Sequence, residues 1–246
     1  MKFNCKYIFF ILFSIAISNN SDTYEILNKS FNRLKGQDIS FDCELKIQSI
    51  SKDPTELKFS FFSNWSDSLN FYSYLKFISP VDFKGTEVWS HQSDDVVFKR
   101  RMPLNKEIIT VENDLEGLDI INFLNFDEMF TEIKKNELSI KNAKLDKEDI
   151  YVIKSFKKKN KRKVIKFYIS KNNNNILKVE WTNKRGALNK ILSFENWDFY
   201  NNQKISKNII YEDIKKGIKT TCKLSNISLD TLSMEQLELI KLGFKN

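Results

Sequence analysis

Ile39-Ser40-Phe41-Asp42-Cys43-Glu44-Leu45-Lys46-Ile47-Gln48 decides the fold class. Phe41, Cys43, Leu45 and Ile47 alternate with Asp42, Glu44, Lys46 and Gln48. A period of two puts the first set on one face of a strand and the second on the other. One face therefore belongs to a core and the other to water. Downstream, strand patterns recur at Leu57 to Asn64, Leu69 to Ile78, Thr86 to His91, Asp95 to Met102 and Glu107 to Val111. Turn-prone breaks at Asp53-Pro54, Ser66-Asp67, Ser79-Pro80, Ser93-Asp94 and Pro103 separate them. Links this short join antiparallel neighbours, because a parallel return needs a crossover of about a dozen residues.

Upstream the period is helical: Asp22 is an N-cap candidate, Tyr24, Leu27, Phe31 and Leu34 share a face, and Gly36 closes the segment. Residues 1–18 read as a cleavable signal peptide, with Lys2 and Lys6 before the apolar run Tyr7 to Ile17 and the small-residue pattern Ala16-Ile17-Ser18 behind it. Eleven residues make a helix of only about 17 Å, half of a bilayer core, so a permanent span is disfavoured. Cleavage leaves a single domain over 19–246 and, with two lysines gone, lowers the net charge from +8 to +6. A basic exported surface favours anionic lipid or acidic partners over nucleic acid.

A second helical pattern runs from Leu118 to Lys135, through Ile121, Leu124, Met129 and Ile133. Strands then resume at Ser139 to Leu145, Ile150 to Lys158, Lys163 to Ile169, Ile176 to Thr182, Leu188 to Trp197, Lys207 to Asp213 and Lys219 to Ile227, and Glu235 to Leu242 suits a short terminal helix. The expectation is α+β, with about twelve strands in one large antiparallel sheet.

Catalytic patterns are lacking. The six glycines are scattered, which disfavours a phosphate loop or a nucleophile elbow. His91 is the only histidine, and with Asp94 and Asp95 it reads better as a polar hairpin end than as a metal site or general base. No metal-ligand spacing is present, so no cofactor and no enzymatic activity are expected. Cys43 and Cys222 both lie on the apolar parity of their strands, as two buried thiols or as a disulfide.

Two features carry function. Lys157, Lys158, Lys159, Lys161, Arg162 and Lys163 form the densest charge run, at a hairpin tip, and are candidates for membrane or partner contact. The chain also holds 21 Phe, 4 Trp and 8 Tyr, many of them alternating along strands. So much apolar surface either fills a core or lines a cavity in a curled sheet.

Leu75-Lys76-Phe77-Ile78-Ser79-Pro80-Val81-Asp82-Phe83-Lys84-Gly85-Thr86 resembles a block typical of the LolA-like outer-membrane lipoprotein-sorting proteins, with Val81 where those have alanine. Lys99-Arg100-Arg101-Met102 resembles their next, basic strand, and Gly117-Leu118-Asp119 the Gly-x-Asp before their central helices. Asn183-Lys184-Arg185-Gly186, Thr220 to Leu224 and Leu229 to Phe244 are similar to later landmarks of the family. The resemblance implies an incomplete, half β-barrel covered by an N-terminal helix and central short helices. It further implies a periplasmic chaperone, a lipid carrier whose hydrophobic cavity shields acyl chains of lipoprotein or lipid cargo on the way to the outer membrane, supplied by an inner-membrane exporter. On this reading Phe41, Leu45, Phe59, Phe61, Phe71, Leu75, Phe77, Ile121 and Leu124 line the cavity, with a hinge at Glu112 to Gly117. The alternative is an exported interaction module with a filled core and a basic rim, an accessory to an exporter of the resistance-nodulation-division type.

Overall fold

The computed structural model describes residues 22–34, 36–65, 71–92, 96–104, 107–111 and 133–244. The proposed signal peptide, Ile121, Leu124, Gly117 to Asp119, the 112–117 hinge and most of the central helical pattern lie outside these residues. Among the described residues thirteen strands follow one another as β1 (Ile39–Ser49), β2 (Lys52–Trp65), β3 (Phe71–Ser79), β4 (Glu87–Gln92), β5 (Val96–Arg101), β6 (Ile109–Val111), β7 (Glu137–Leu145), β8 (Glu148–Lys157), β9 (Asn160–Ser170), β10 (Ile176–Thr182), β11 (Leu188–Tyr200), β12 (Gln203–Asp213) and β13 (Ile218–Ser228). Helix α1 covers residues 22–31 and α2 is Met234–Leu242. Hydrogen-bonded order is β6-β5-β4-β3-β2-β1-β13-β12-β11-β10-β9-β8-β7, so every neighbour but one is also a neighbour in sequence. The exception joins β1 to β13, and β6 and β7 are the end strands of this order among the described residues.

The chain divides into two compact units. The first comprises residues 1–33 and 125–191, and its described part is the meander β7 to β10 with α1. Ile153, Phe167 and Val179 stand in cross-strand register and are fully buried. Phe31 of α1 meets Phe167 edge-on at 5.6 Å, and Leu27, one turn earlier, is fully buried. The Tyr24 hydroxyl lies 3.0–3.3 Å from the carbonyls of Ile133, Lys134 and Asn136, tying the helix to the segment entering β7. Asp22 already belongs to the helix, so it adds charge to the first turn instead of capping it.

The second unit, residues 34–124 and 192–246, holds β1 to β6, β12, β13 and α2. Leu45 lies opposite Leu57 on β2 and Cys222 on β13, and Cys43 opposite Phe59 and Leu224. The first turn falls at Ile50-Ser51, not at the expected Asp53-Pro54 break. Pro54 is accommodated inside β2 because the register slips between Ile47↔Thr55 and Ser49↔Lys52, a bulge that asks no ladder hydrogen bond of it. The asparagine pairs act as turn formers: Asn201 and Asn202 have φ of 45° and 62°, which suits a tight hairpin between β11 and β12.

The Ser79 to Thr86 block closes the β3–β4 link. Its Ser79-Pro80 peptide is cis, Lys84 N donates to Pro80 O at 2.9 Å, and Gly85 N donates to Phe77 O at 2.9 Å. Gly85 does this at φ +83°, a backbone conformation that any side chain strains. A Cβ there meets only ordinary contact, Pro103 Cγ at 3.5 Å, so strain alone sets the cost. Gly85→Ala is expected to lose about 1–2 kcal/mol, read as a fall in Tm of a few degrees; an unchanged Tm would show that the link relaxes freely.

In the first unit Glu180 is buried among Lys178 (2.8 Å), Lys166 (3.4 Å) and the Tyr168 hydroxyl (2.8 Å). Burial opposes its ionisation, but hydrogen bonds from Lys178 and Tyr168 and the charges of both lysines outweigh that and hold its carboxyl below the ordinary 4.5. A lowered folded value stabilises above about pH 4.5 and is lost as pH falls through it. Glu180→Gln should therefore flatten the acid limb of a Tm-against-pH curve below about 4.5; an unaltered limb would remove Glu180 from that role.

Candidate functional site

Strand parity gives the sheet of the second unit two unlike faces. On one, Tyr74 and Trp89 pack with Leu232 and Ile240, and Trp89 Nε1 donates to Leu239 O at 2.8 Å. Helix α2 covers this side, held by a capping box between Ser233 and Gln236. Gly243 ends the helix where a Cβ would stand 2.3 Å from the Trp89 ring. Glu87, buried on the same face, accepts from the Tyr74 hydroxyl and from Arg101 Nε, both at 2.6 Å. Toward β1 this face becomes charged, with Lys46 bound to Glu56 at 2.9 Å and Lys58 paired with Glu44.

The opposite face is apolar across β1, β2 and β3. Phe41, Phe61 and Leu75 stand in one cross-strand row, and Cys43, Phe59 and Phe77 in the next. The Phe41 and Phe61 rings stack at 4.8 Å, and Phe59 meets Phe77 at 6.0 Å. Phe41, Leu45, Phe59, Leu75 and Phe77 are all buried and Phe61 half-buried. Six of the proposed cavity residues thus share one face. The register places the Phe71 backbone opposite Trp65 on β2 and Gln92 on β4. Further along the face Cys43 Sγ lies 2.6 Å from Cys222 Sγ, as two free thiols; that contact and burial raise the Cys43 thiol.

A polar row borders this surface and escaped the sequence reading. Ser63, Ser73 and Ser90 are aligned across β2, β3 and β4, and the hydroxyls of Ser73 and Ser90 are 2.6 Å apart. Arg100 on β5 extends the row of Phe41, Phe61, Leu75 and Val88. Ser63 Oγ and Arg100 Nε are buried with no hydrogen-bond partner among the described residues. The signal was present as serines at apolar parity, but a serine at such a position reads equally as a bend.

The basic run occupies a two-residue hairpin: Lys157 pairs with Asn160, leaving Lys158 and Lys159 at the tip. Lys157, Lys158, Lys159, Lys161, Arg162 and Lys163 are exposed. His91 is stacked on Tyr72 at 4.2 Å and lies edge-on to Phe244 at 5.7 Å, while Asp94 and Asp95 lie outside the described residues.

A family model described as "-like: Uncharacterized protein" matches residues 70–238. The chain belongs to that family. No curated protein matches it. Among solved structures it is similar to a DUF1329 family protein from Desulfovibrio piger, at 17% identity and TM-score 0.71 over 87% of this chain and 95% of that one. It is equally similar to a putative outer membrane lipoprotein-sorting protein domain from Vibrio parahaemolyticus, at 18% identity and TM-score 0.71 over 92% and 100%. A LolA superfamily protein from Nitrosomonas europaea matches at 19% identity and TM-score 0.59 over 86% and 94%. The fold is therefore that of the LolA-like open barrels, as the Ser-Pro-Val-Asp block suggested.

An unpaired buried hydroxyl costs stability that alanine does not. Ser63→Ala is accordingly expected to stabilise the chain by up to about 1 kcal/mol in thermal denaturation; a loss of similar size would reveal a partner for this hydroxyl.

Proposed function

We propose that the chain is an exported carrier that holds acyl chains of lipoprotein or lipid cargo against the apolar face of β1, β2 and β3 while they pass from an inner-membrane exporter toward the outer membrane. The observation that carries this reading is the continuous row system Phe41–Phe61–Leu75 and Cys43–Phe59–Phe77, on the side of the sheet that α2 does not cover. Each methylene transferred onto such a surface contributes about 0.8 kcal/mol, so a single tail binds firmly without directional chemistry. The serine row with Arg100 supplies hydrogen-bond donors at the margin, where the ester or headgroup of a cargo leaves the apolar zone. On this reading a signal peptide over 1–18 delivers the single domain 19–246 to the periplasm. Likeness to a lipoprotein-sorting fold supports the assignment. The work proposed is carriage, without catalysis or cofactor.

A second reading is favoured by the ring stacking of Phe41 on Phe61 and the near-complete burial of Leu45 and Leu75. It makes the face a filled core and the chain an interaction module that meets its partner through the basic hairpin Lys157 to Lys163, as an exporter accessory. The two readings differ in one measurable respect. Protein purified from the periplasm, extracted with organic solvent and analysed by lipid mass spectrometry should release acyl lipid, and the emptied chain should take up N-phenyl-1-naphthylamine. Phe61→Arg should cut uptake about tenfold with the circular dichroism spectrum retained, as expected for a charge set into an acyl site. Empty protein with no uptake would establish the filled core instead.

A further inference from the structure

The exposed apolar residues of the second unit gather at one end of its sheet. Ser49 pairs with Lys52 and with Ile218, and Asp213 with Ile218, so the β1–β2 and β12–β13 tips emerge together. They touch: Ile50 N donates to Gly217 O at 3.3 Å. Lys58 pairs with Ser79, and Glu87 with Arg101, which brings the β3–β4 link and the exit from β5 to that same end. Those two also meet, with Thr86 Oγ1 3.8 Å from Met102 Sδ.

These connections carry Ile50 (90% exposed), Val81 (86%), Leu104 (101%), Ile214, Phe83 and Met102. Ile78 and Ile109 lie on strands leading into them, and of the unit's other exposed large apolar residues only Val97, Phe199 and Met234 lie elsewhere among the described residues. Single exposed aliphatic residues need no explanation, but a cluster at the tips of four separate connections does. Among the described residues Lys84, Lys215 and Lys216 are exposed on the same connections and Lys52 at the start of β2, with Asp53, Asp82 and Glu107 as the acids.

From this arrangement we infer that the rim is a membrane-docking surface: its aliphatic tips enter the interface of an anionic bilayer and its lysines lie among the headgroups. Separate protruding tips suit shallow insertion, since each buries its side chain without requiring a flat complementary partner. The lysines decide between a bilayer and a second copy of the chain. In a symmetric dimer this net-positive patch would face its own copy, whereas an anionic lipid surface attracts it. Among the described residues the surplus is one positive charge, so the apolar tips carry most of the binding. The hairpin Lys157 to Lys163 differs in kind, because its tip offers charge without exposed large apolar residues.

Vesicle flotation tests the inference directly, and it is independent of whether the chain carries acyl cargo. The full mature chain should float with vesicles of phosphatidylcholine containing phosphatidylglycerol and less with phosphatidylcholine alone. Ile50→Asp combined with Leu104→Asp should weaken binding about tenfold or more, with uptake of the naphthylamine probe unchanged. Both sites are exposed, so folding is preserved. Lys215→Glu with Lys216→Glu should lower the preference for anionic vesicles. Leu104→Trp should show blue-shifted fluorescence quenched by brominated acyl chains. No flotation, flotation indifferent to the rim variants, or a solution dimer dispersed by Leu104→Asp would each overturn the inference; loss of probe uptake with flotation retained would overturn only the carrier reading.

Discussion

The register of β1 between β2 and β13 is the constraint on which the second unit depends. Side chains alternate along a strand, so a slip of one residue would send Phe41, Cys43 and Leu45 to the charged face and Asp42, Glu44 and Lys46 into the apolar one. Correct pairing is enforced from both sides: Leu45 meets Leu57 and Cys222, and on the other face Asp42 bonds Ser60 at 2.6 Å and Asn226 at 2.7 Å. With that register set, every neighbouring strand inherits its sidedness. The apolar surface, the α2-covered surface and the serine row all follow from one alternating decapeptide.

The first unit solves the same problem differently. On one face of its sheet α1 supplies Leu27 and Phe31 as cover against Phe167, while Ile150 and Val152 are buried on the other. Glu180 is tolerated near that core because two lysines and a tyrosine satisfy it, where an unpaired carboxylate would not ionise.

Most of the strand architecture was legible because alternation is a local property: β10 spans Ile176–Thr182 as its pattern indicated, and β7, β8 and β9 differ only by residues at their ends. Pro54 misled because proline marks turns in general, whereas here a bulge absorbs it inside β2. Cavity candidates could be assigned to a common face from parity alone, since Phe59, Phe61, Leu75 and Phe77 keep odd numbers along two antiparallel strands. Ser63 and Arg100 were illegible for the opposite reason. Their interest lies in which neighbours they lack, and neighbours across β2 to β5 are set by pairing, not by spacing in the chain.

Cys43 and Cys222 touch although 179 residues separate them. The seam between β1 and β13 can close only after nearly the whole polypeptide has been delivered, and closing so long a loop is entropically slow. Until then β1 pairs with β2 alone and stands at the edge of the meander β1 to β6 with its other side unpaired. That edge is a ready template for pairing with another chain, and β13 is what removes it.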